Sequence, residues 1–186
     1  MNQMTRIGEP AVEEVRTRLT TAEFLHMNEC GAFDDLKVEL VDGELQVTQH
    51  PKNPHSMRQA ELVFVLAQVT RIALVRGEVG IDLGDDTLLG CDVALLREPV
   101  TEDRMLRPHD LALVVEVAES TRRRDLGMKR SKYAGAGVAV YWVVDGQHRV
   151  VHVHADPVDG DYVEVRTIRF GEPLPVPGTD ATITLA

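Results

Sequence analysis

The chain has 186 residues, of which 44% are hydrophobic and 27% charged, and its formal net charge at pH 7 is −10. This length suits one domain with a sizeable core. The negative charge excludes a protein that coats nucleic acid through its overall charge, but it leaves room for an enzyme with a local basic patch. No stretch has the apolar length of a membrane span or the pattern of a secretory signal, so we expect a cytoplasmic protein with free thiols at Cys30 and Cys91.

The N-terminal region divides at about residue 19. Residues 1–18 are polar and predict an arm, and residues 19–186 predict a single domain. Thr20 and Glu23 have the spacing of a capping box, in which each side chain bonds the other residue's backbone amide. A short helix from Thr21 to Met27 should follow.

Residues 37–48 predict a β-hairpin. Apolar positions alternate on both sides of Asp42-Gly43, a pair that tolerates the positive φ angles of a tight turn. The alternation makes four residues core candidates: Val38, Leu40, Leu45 and Val47. The direction in which Glu39 points stays open.

The rest of the chain predicts alternating helices and strands. Residues 54–76 have an apolar stripe at helical spacing and should form a helix that Gly77 ends. Residues 111–119 are almost continuously apolar, as in a strand buried on both faces. Further elements are strands at 78–84, 88–97, 138–145, 149–154, 161–170 and 182–186, and a helix at 123–135. The expected fold class is α/β, with a mixed sheet flanked by helices and extra strands at the C-terminus.

Three carboxylates interrupt apolar strand patterns: Glu39, Asp92 and Glu116. An ionised carboxylate in a buried strand is costly unless it is paired or bound to a cation. Each could instead pair with an arginine or bond a backbone amide, and for Glu39 alone that structural explanation is favoured. For Asp92 and Glu116 together, a functional site is favoured.

A basic segment follows Glu116, with six Lys or Arg side chains within residues 122–132. On a helix, Asp125 and Lys129 share a face with Lys132 or Tyr133. Such a run is usually a solvated helix face, but its position after a buried acid indicates contact with phosphates. His152 and His154 also share a strand face, although no third metal ligand accompanies them.

Several of these segments resemble the Uma-type family of restriction-endonuclease-like proteins. They are VELVDGEL (38–45), CDVALL (91–96), the LTTAEFL opening and DLALVVEVAESTRRRDLGMKRSKYAGAGVAVYWVVD (110–145). The resemblance covers residues 19–154, and the last block is the most specific. The family is similar in fold to PD-(D/E)XK nucleases.

The resemblance implies a metal site. Asp92 and Glu116 would hold Mg²⁺ or Mn²⁺ together with the Val117 carbonyl. Ala118 stands where the simple motif has lysine, and Lys129 on the following helix matches that lysine. Glu39 would complete a second metal site or orient Lys129, and His55 or Gln59 lies on the helix after the hairpin.

The implied function is a metal-dependent endonuclease that hydrolyses phosphodiester bonds, in DNA rather than RNA. Three arginines would hold flanking phosphates: Arg122, Arg123 and Arg124. By analogy of fold we expect a homodimer and no membrane contact. The alternative is a catalytically silent nuclease fold that acts as a nucleic-acid-binding or regulatory module. An adaptor protein would instead present a large exposed apolar face.

Overall fold

The computed structural model describes residues 18–119 and 121–186. Its helices are α1 (Thr21–Glu29), α2 (Asn53–Val69), α3 (Arg122–Arg124) and α4 (Arg130–Gly135), with a π-helical turn (Asp125–Lys129) between the last two and 3₁₀ turns at Ile72–Leu74 and Pro108–Asp110. Within the described ranges, no helix has the length and apolar character needed to cross a membrane. Apart from Arg18, the predicted arm over residues 1–18 lies outside the described residues.

A mixed sheet forms the centre of the molecule. Its strands, with two short ones from the C-terminal segment, are β1 (Lys37–Val41), β2 (Glu44–Thr48), β3 (Val75–Gly84), β4 (Thr87–Leu96), β5 (Leu111–Val117), β6 (Val140–Asp145), β7 (Val150–Val158), β8 (Asp161–Arg169), β9 (Leu174–Pro175) and β10 (Thr182–Ile183). The eight-stranded sheet has the order β2-β1-β4-β5-β6-β7-β8, and β3 pairs with β4. Among the described strands only β5 and β6 are parallel. The predicted mixed sheet with flanking helices is confirmed.

Two apolar layers cover the sheet. On one face, Leu62 and Leu66 of α2 pack with Trp142 and with the C-terminal segment through Leu174 and Ile183. On the other face, Tyr133 and Ala134 of α4 pack against Val114, Tyr141 and Val143. Strand β5 lies between these layers and is buried along its whole length, as its continuous apolar pattern predicts.

The N-terminal predictions are confirmed in outline. Helix α1 has the expected capping box and extends two residues beyond Met27, to Glu29. The hairpin turns at Asp42 and Gly43, whose φ angles are +51° and +78°.

Two of the four core candidates in the hairpin are wrong. Leu40 is fully buried and Val38 is partly buried, but Leu45 and Val47 are 42% and 65% exposed. The alternation itself is present, since Leu40 pairs with Leu45 and Val38 with Val47. Their exposure arises because β2 is the edge strand of the sheet.

The predicted helix over residues 54–76 is too long. Helix α2 ends at Val69, where the Thr70 hydroxyl bonds the Leu66 carbonyl at 2.7 Å. Ile72, counted in the apolar stripe, is 66% exposed. Gly77 therefore lies inside β3 and does not end a helix.

The helix predicted over residues 123–135 contains the π-helical turn, which its sequence pattern does not reveal. Both Asp125 and Lys129 within this turn are buried. Tyr133 shares their inward direction, whereas the Lys132 ammonium pairs with Asp42 at the surface. The predicted face is therefore completed by Tyr133 and not by Lys132.

Candidate functional site

The candidate site occupies a gap in the sheet beside β4. Near its start β4 pairs with β1 through Leu88, and from Val93 onward it pairs with β5. Between these two pairings, on that side of β4, neither ladder continues over residues 89–92. The backbone groups of this stretch therefore need other partners, because buried amides and carbonyls are rarely left unbonded.

Side chains of Glu39 and Lys129 bond the β4 backbone in this gap. The Gly90 amide donates to Glu39 Oε1 at 3.0 Å, and Lys129 Nζ donates to the Gly90 carbonyl at 2.7 Å. Lys129 Nζ also lies 3.3 Å from Glu39 Oε1. The orientation of Glu39, open in the sequence, is thus inward, with 4% of the residue exposed.

Glu116 approaches the gap from β5 and meets two donors. Lys129 Nζ donates to its Oε1 at 2.7 Å, and the Tyr133 hydroxyl donates to the same oxygen at 2.9 Å. Burial raises the pKa of Glu116 well above its ordinary value, and the Lys129 charge only partly offsets this effect.

Lys129 is a fixed cation in this arrangement. Burial lowers its pKa, but the charges of Glu116 and Glu39 outweigh burial, and the pKa lies above its ordinary value. The ammonium therefore stays protonated at neutral pH. A group in this state can stabilise negative charge but cannot accept a proton.

Asp92 is held ionised. Its Oδ2 accepts the Val117 amide at 2.7 Å, and its Oδ1 lies 3.1 Å from His55 Nε2. Burial raises the pKa of Asp92, but the hydrogen bonds from His55 and Val117 outweigh burial and bring the pKa below its ordinary value.

Helix α2 supplies two groups on the side of Asp92. Gln59 Nε2 donates to the Asp92 carbonyl at 2.8 Å. The pKa of His55 is raised, chiefly by its hydrogen bond to Asp92, with a smaller contribution from a bond to the Val117 backbone. His55 therefore contacts Asp92, one of the groups expected to hold a metal.

The three arginines expected at phosphates have different surroundings. Arg124 is directed into the site, where it pairs with Glu39 and lies 3.3 Å from Gln46 Oε1. Arg122 Nε donates to the buried Asp145 at 2.7 Å, although half of its side chain is exposed. Arg123 is exposed. Only Arg122 and Arg123 are thus exposed at the surface, whereas Arg124 is engaged by Glu39.

The π-helical turn places Asp125 next to these charges. Burial raises its pKa to about 6, although the Thr121 hydroxyl bonds the carboxylate. The Tyr141 hydroxyl donates to the Asp125 carbonyl at 3.0 Å, which ties the turn to β6. The turn is therefore anchored at Asp125, four residues before Lys129.

The donor set fits the divalent cation that the fold implies. Carboxylates of Asp92 and Glu116 and the Val117 carbonyl are hard oxygen donors, which suit Mg²⁺ and Mn²⁺. Within residues 18–119 and 121–186, no three His, Cys, Asp or Glu side chains are arranged as a complete metal site. A cation there would complete its coordination with water, as Mg²⁺ usually does. His152 and His154, correspondingly, form no such cluster.

The four predicted catalytic residues lie together, and their roles stay predictions. The sequence did not reveal Tyr133 as a partner of Glu116, nor the Gly90 backbone as the link between Glu39 and Lys129. Tyr133 lies four residues after Lys129, so the shared helix face was the available signal. No sequence signal marked Gly90.

Comparisons with known proteins agree with this fold. The sequence matches the Uma2 family, described as "Putative restriction endonuclease", over residues 21–186. A solved structure from Anabaena variabilis, described as a "putative nuclease belonging to DUF820", has a TM-score of 0.66 and 20% sequence identity to the chain. That similarity covers 89% of this chain and 94% of the other. No curated protein matches the chain.

Proposed function

The chain belongs to the Uma2 family, and from this premise we propose that it is a metal-dependent endonuclease that hydrolyses phosphodiester bonds. Membership confirms the resemblance carried by VELVDGEL and by the block over residues 110–145. The family supports a nuclease acting on nucleic acid. Use of Mg²⁺ or Mn²⁺, preference for DNA and a cytoplasmic location are our proposals.

The observation that carries the proposal is the meeting of Glu39, Asp92, Glu116 and Lys129 at the gap beside β4. These charges come from three strands and one helical turn, and each is at least nine-tenths buried. Burying four charged groups costs free energy, and apolar residues of similar volume would stabilise the fold as well or better. The charges are therefore better explained by function than by stability. Two carboxyl groups with shifted pKa values, Asp92 and Glu116, beside a fixed cation are typical of a catalytic site.

Lys129 has the properties of a phosphate-stabilising group. Because its pKa is raised by two carboxylates, it keeps its positive charge at the pH of the cell. Its position is fixed by bonds to Gly90 and Glu116. We propose that it stabilises the negative charge that develops on the phosphate as water attacks phosphorus and the bond to the leaving oxygen breaks.

Asp92 and Glu116, with the Val117 carbonyl, would hold the cation. When bound, the cation would supply positive charge to the phosphate and lower the pKa of a coordinated water. Asp92 contributes an ionised carboxylate, because His55 and the Val117 amide hold its pKa low. His55 and Gln59 would position Asp92 from α2.

Arg122 and Arg123 are the proposed contacts to flanking phosphates. Both are on α3, directly after the strand that carries Glu116, and both are exposed. Positive side chains at such a position can align a nucleic-acid backbone without reading its sequence. They offer a local attraction that the net charge of −10 does not.

The test is a cleavage assay with Mg²⁺ or Mn²⁺ on plasmid, linear duplex, single-stranded DNA and RNA. The parent should cleave DNA, and a chelator should stop it. Asp92→Asn and Glu116→Gln should each lower the rate by about a hundredfold or more. Glu98→Gln, at an exposed position outside the site, is the matched control and should cleave like the parent.

Equal cleavage by the parent and both site variants would reject the assignment of this site. A folded parent that cleaves none of the four substrates but retains one of them in a binding assay would favour the catalytically silent module.

A further inference from the structure

Strand β8 forms one edge of the sheet. It runs for nine residues, Asp161–Arg169, and among the described strands its only neighbour is β7. A long edge strand presents backbone amides and carbonyls that can pair with another strand. Proteins commonly protect such edges with proline, with charged side chains, especially lysine, or with a very short strand. The sequence DYVEVRTIR has no proline and no lysine, and its four charged residues are two acids and two arginines.

The side chains of β8 also expose apolar surface. Val163 is 67% exposed and Val165 is 51% exposed. Valine favours paired strands, where its branched side chain packs against a neighbour across the ladder. In the described structure that neighbour exists only on the β7 side.

The charges of β8 make it complementary to a second copy of itself. If two β8 strands pair antiparallel with Val165 opposite Val165, Glu164 lies opposite Arg166 of the second copy. The same register places Asp161, which Arg130 of its own chain already holds, opposite Arg169. Two-fold symmetry repeats the Glu164–Arg166 contact, so two ion pairs of opposite charge form along the ladder.

The neighbouring registers are disfavoured by the same charges. Centring the pairing on Glu164 places that carboxylate opposite its own copy, and centring it on Arg166 opposes two guanidinium groups. Like charges directly opposite each other destabilise a strand pair. The charges of β8 therefore favour the register centred on Val165 over the registers on either side of it.

The geometry within one chain supports this reading. Arg166 Nε lies 3.0 Å from Glu164 Oε1, and about half of each side chain is exposed. The two charges thus pair side by side on one face of the strand, where both are accessible to the same two groups on a second copy. Strand β2, another edge of the sheet, is only five residues long and its single charged residue is Glu44, so it has no such complementarity.

We propose that β8 pairs antiparallel with β8 of a second copy and joins two eight-stranded sheets into a homodimer. This inference is independent of the proposed nuclease activity and of any metal. Fold analogy predicts a homodimer but no surface for it, and β8 supplies that surface.

The test is sedimentation of the parent and of charge variants over a range of concentrations. The parent should reach twice the 20.6 kDa mass of one chain. Glu164→Arg alone and Arg166→Glu alone each place like charges opposite each other, so each should dimerise at least about tenfold more weakly. Because both side chains are exposed, circular dichroism and the melting temperature should stay unchanged when parent and variants are measured at a concentration where all are monomeric.

Two further arms test the pairing itself. An equal mixture of the two single variants should form a heterodimer, since each then faces the opposite charge. The double exchange Glu164→Arg with Arg166→Glu should restore the homodimer. A monomeric parent, single variants that dimerise like the parent, or a mixture that stays monomeric would each overturn the proposal.

Discussion

Two regions of the molecule bury polar side chains, and they do so in opposite ways. In the gap beside β4, the carboxylates of Glu39 and Glu116 both bond Lys129, and Asp92 bonds His55. Under β7 and β8, His154 is 2% exposed, and neither ring nitrogen has a hydrogen-bond partner among the described residues. Its neighbours are the rings of Tyr141 and Tyr162.

The difference separates a connected polar site from an isolated buried group. Partnered charges hold one another in fixed positions, and removal of one leaves another uncompensated. An unpartnered imidazole only adds a desolvation cost. Replacing a partnered group should therefore destabilise the protein, and replacing the unpartnered imidazole should stabilise it.

The largest effect should follow Lys129→Met. This change removes the cation shared by Glu39 and Glu116 and leaves buried carboxylates without compensation. We expect a loss of roughly 3–5 kcal/mol in the free energy of unfolding, measured by urea denaturation at pH 8.

Lys132→Met is the matched control, three residues farther along the same helical segment. Its partner Asp42 is at the surface, so the change should cost at most about 1 kcal/mol. Similar losses for the two variants would contradict the picture of a connected buried site.

The second effect has the opposite sign. Burial lowers the pKa of His154 to about 4, so the folded protein keeps this ring neutral while the unfolded chain takes up a proton below about pH 6.5. The free energy of unfolding is therefore not reduced by His154 protonation above that pH, and it declines as the pH falls toward 4. Allowing for solvent screening, the decline is about 2 kcal/mol.

His154→Phe should remove this decline and raise the melting temperature at pH 7. Melting curves from pH 4 to 8 would measure both effects. His50→Phe, at an exposed position, should keep the pH dependence of the parent. If His154→Phe is less stable than the parent at pH 7, the imidazole nitrogens have a stabilising hydrogen-bond partner, contrary to the picture of an isolated buried group.

The smallest effect compares one tyrosine hydroxyl from each region. Tyr133 donates to the Glu116 carboxylate and Tyr162 donates to the Val138 carbonyl, both at 2.9 Å. Hydrogen bonds to charged groups contribute more than neutral ones. By thermal unfolding, Tyr133→Phe should cost about 2 kcal/mol and Tyr162→Phe about 1 kcal/mol. The reverse order would contradict a Glu116 carboxyl group connected to both Tyr133 and Lys129.

Local sequence patterns predicted most of the fold. The Asp42-Gly43 turn, the capping box at Thr20 and the apolar run of β5 depend on neighbouring residues, and all three are present. Errors arose where the outcome depends on distant parts of the chain. Leu45 is exposed because β2 is an edge strand among the described residues, and Ile72 has helical spacing although the chain has already left α2.

The candidate site likewise contains features that local sequence marked and features that depend on distant parts of the chain. Acids inside apolar strands marked Asp92 and Glu116, because burial of a charge is costly wherever the strand lies. The π-helical turn, the Tyr133 contact and the Gly90 backbone link could not be predicted from spacing. They depend on how β1 and β5 diverge along β4, which is a property of the whole sheet.

The most direct test of the central claim is a calorimetric titration of Mn²⁺ into the parent, Asp92→Asn and Glu116→Gln, with Glu98→Gln as control and all four checked for folding. Binding by the parent and the control, weakened at least about tenfold in each site variant, is the result expected of two ligands to one cation. Equal binding by all four proteins would contradict the assignment of the metal to this acid pair.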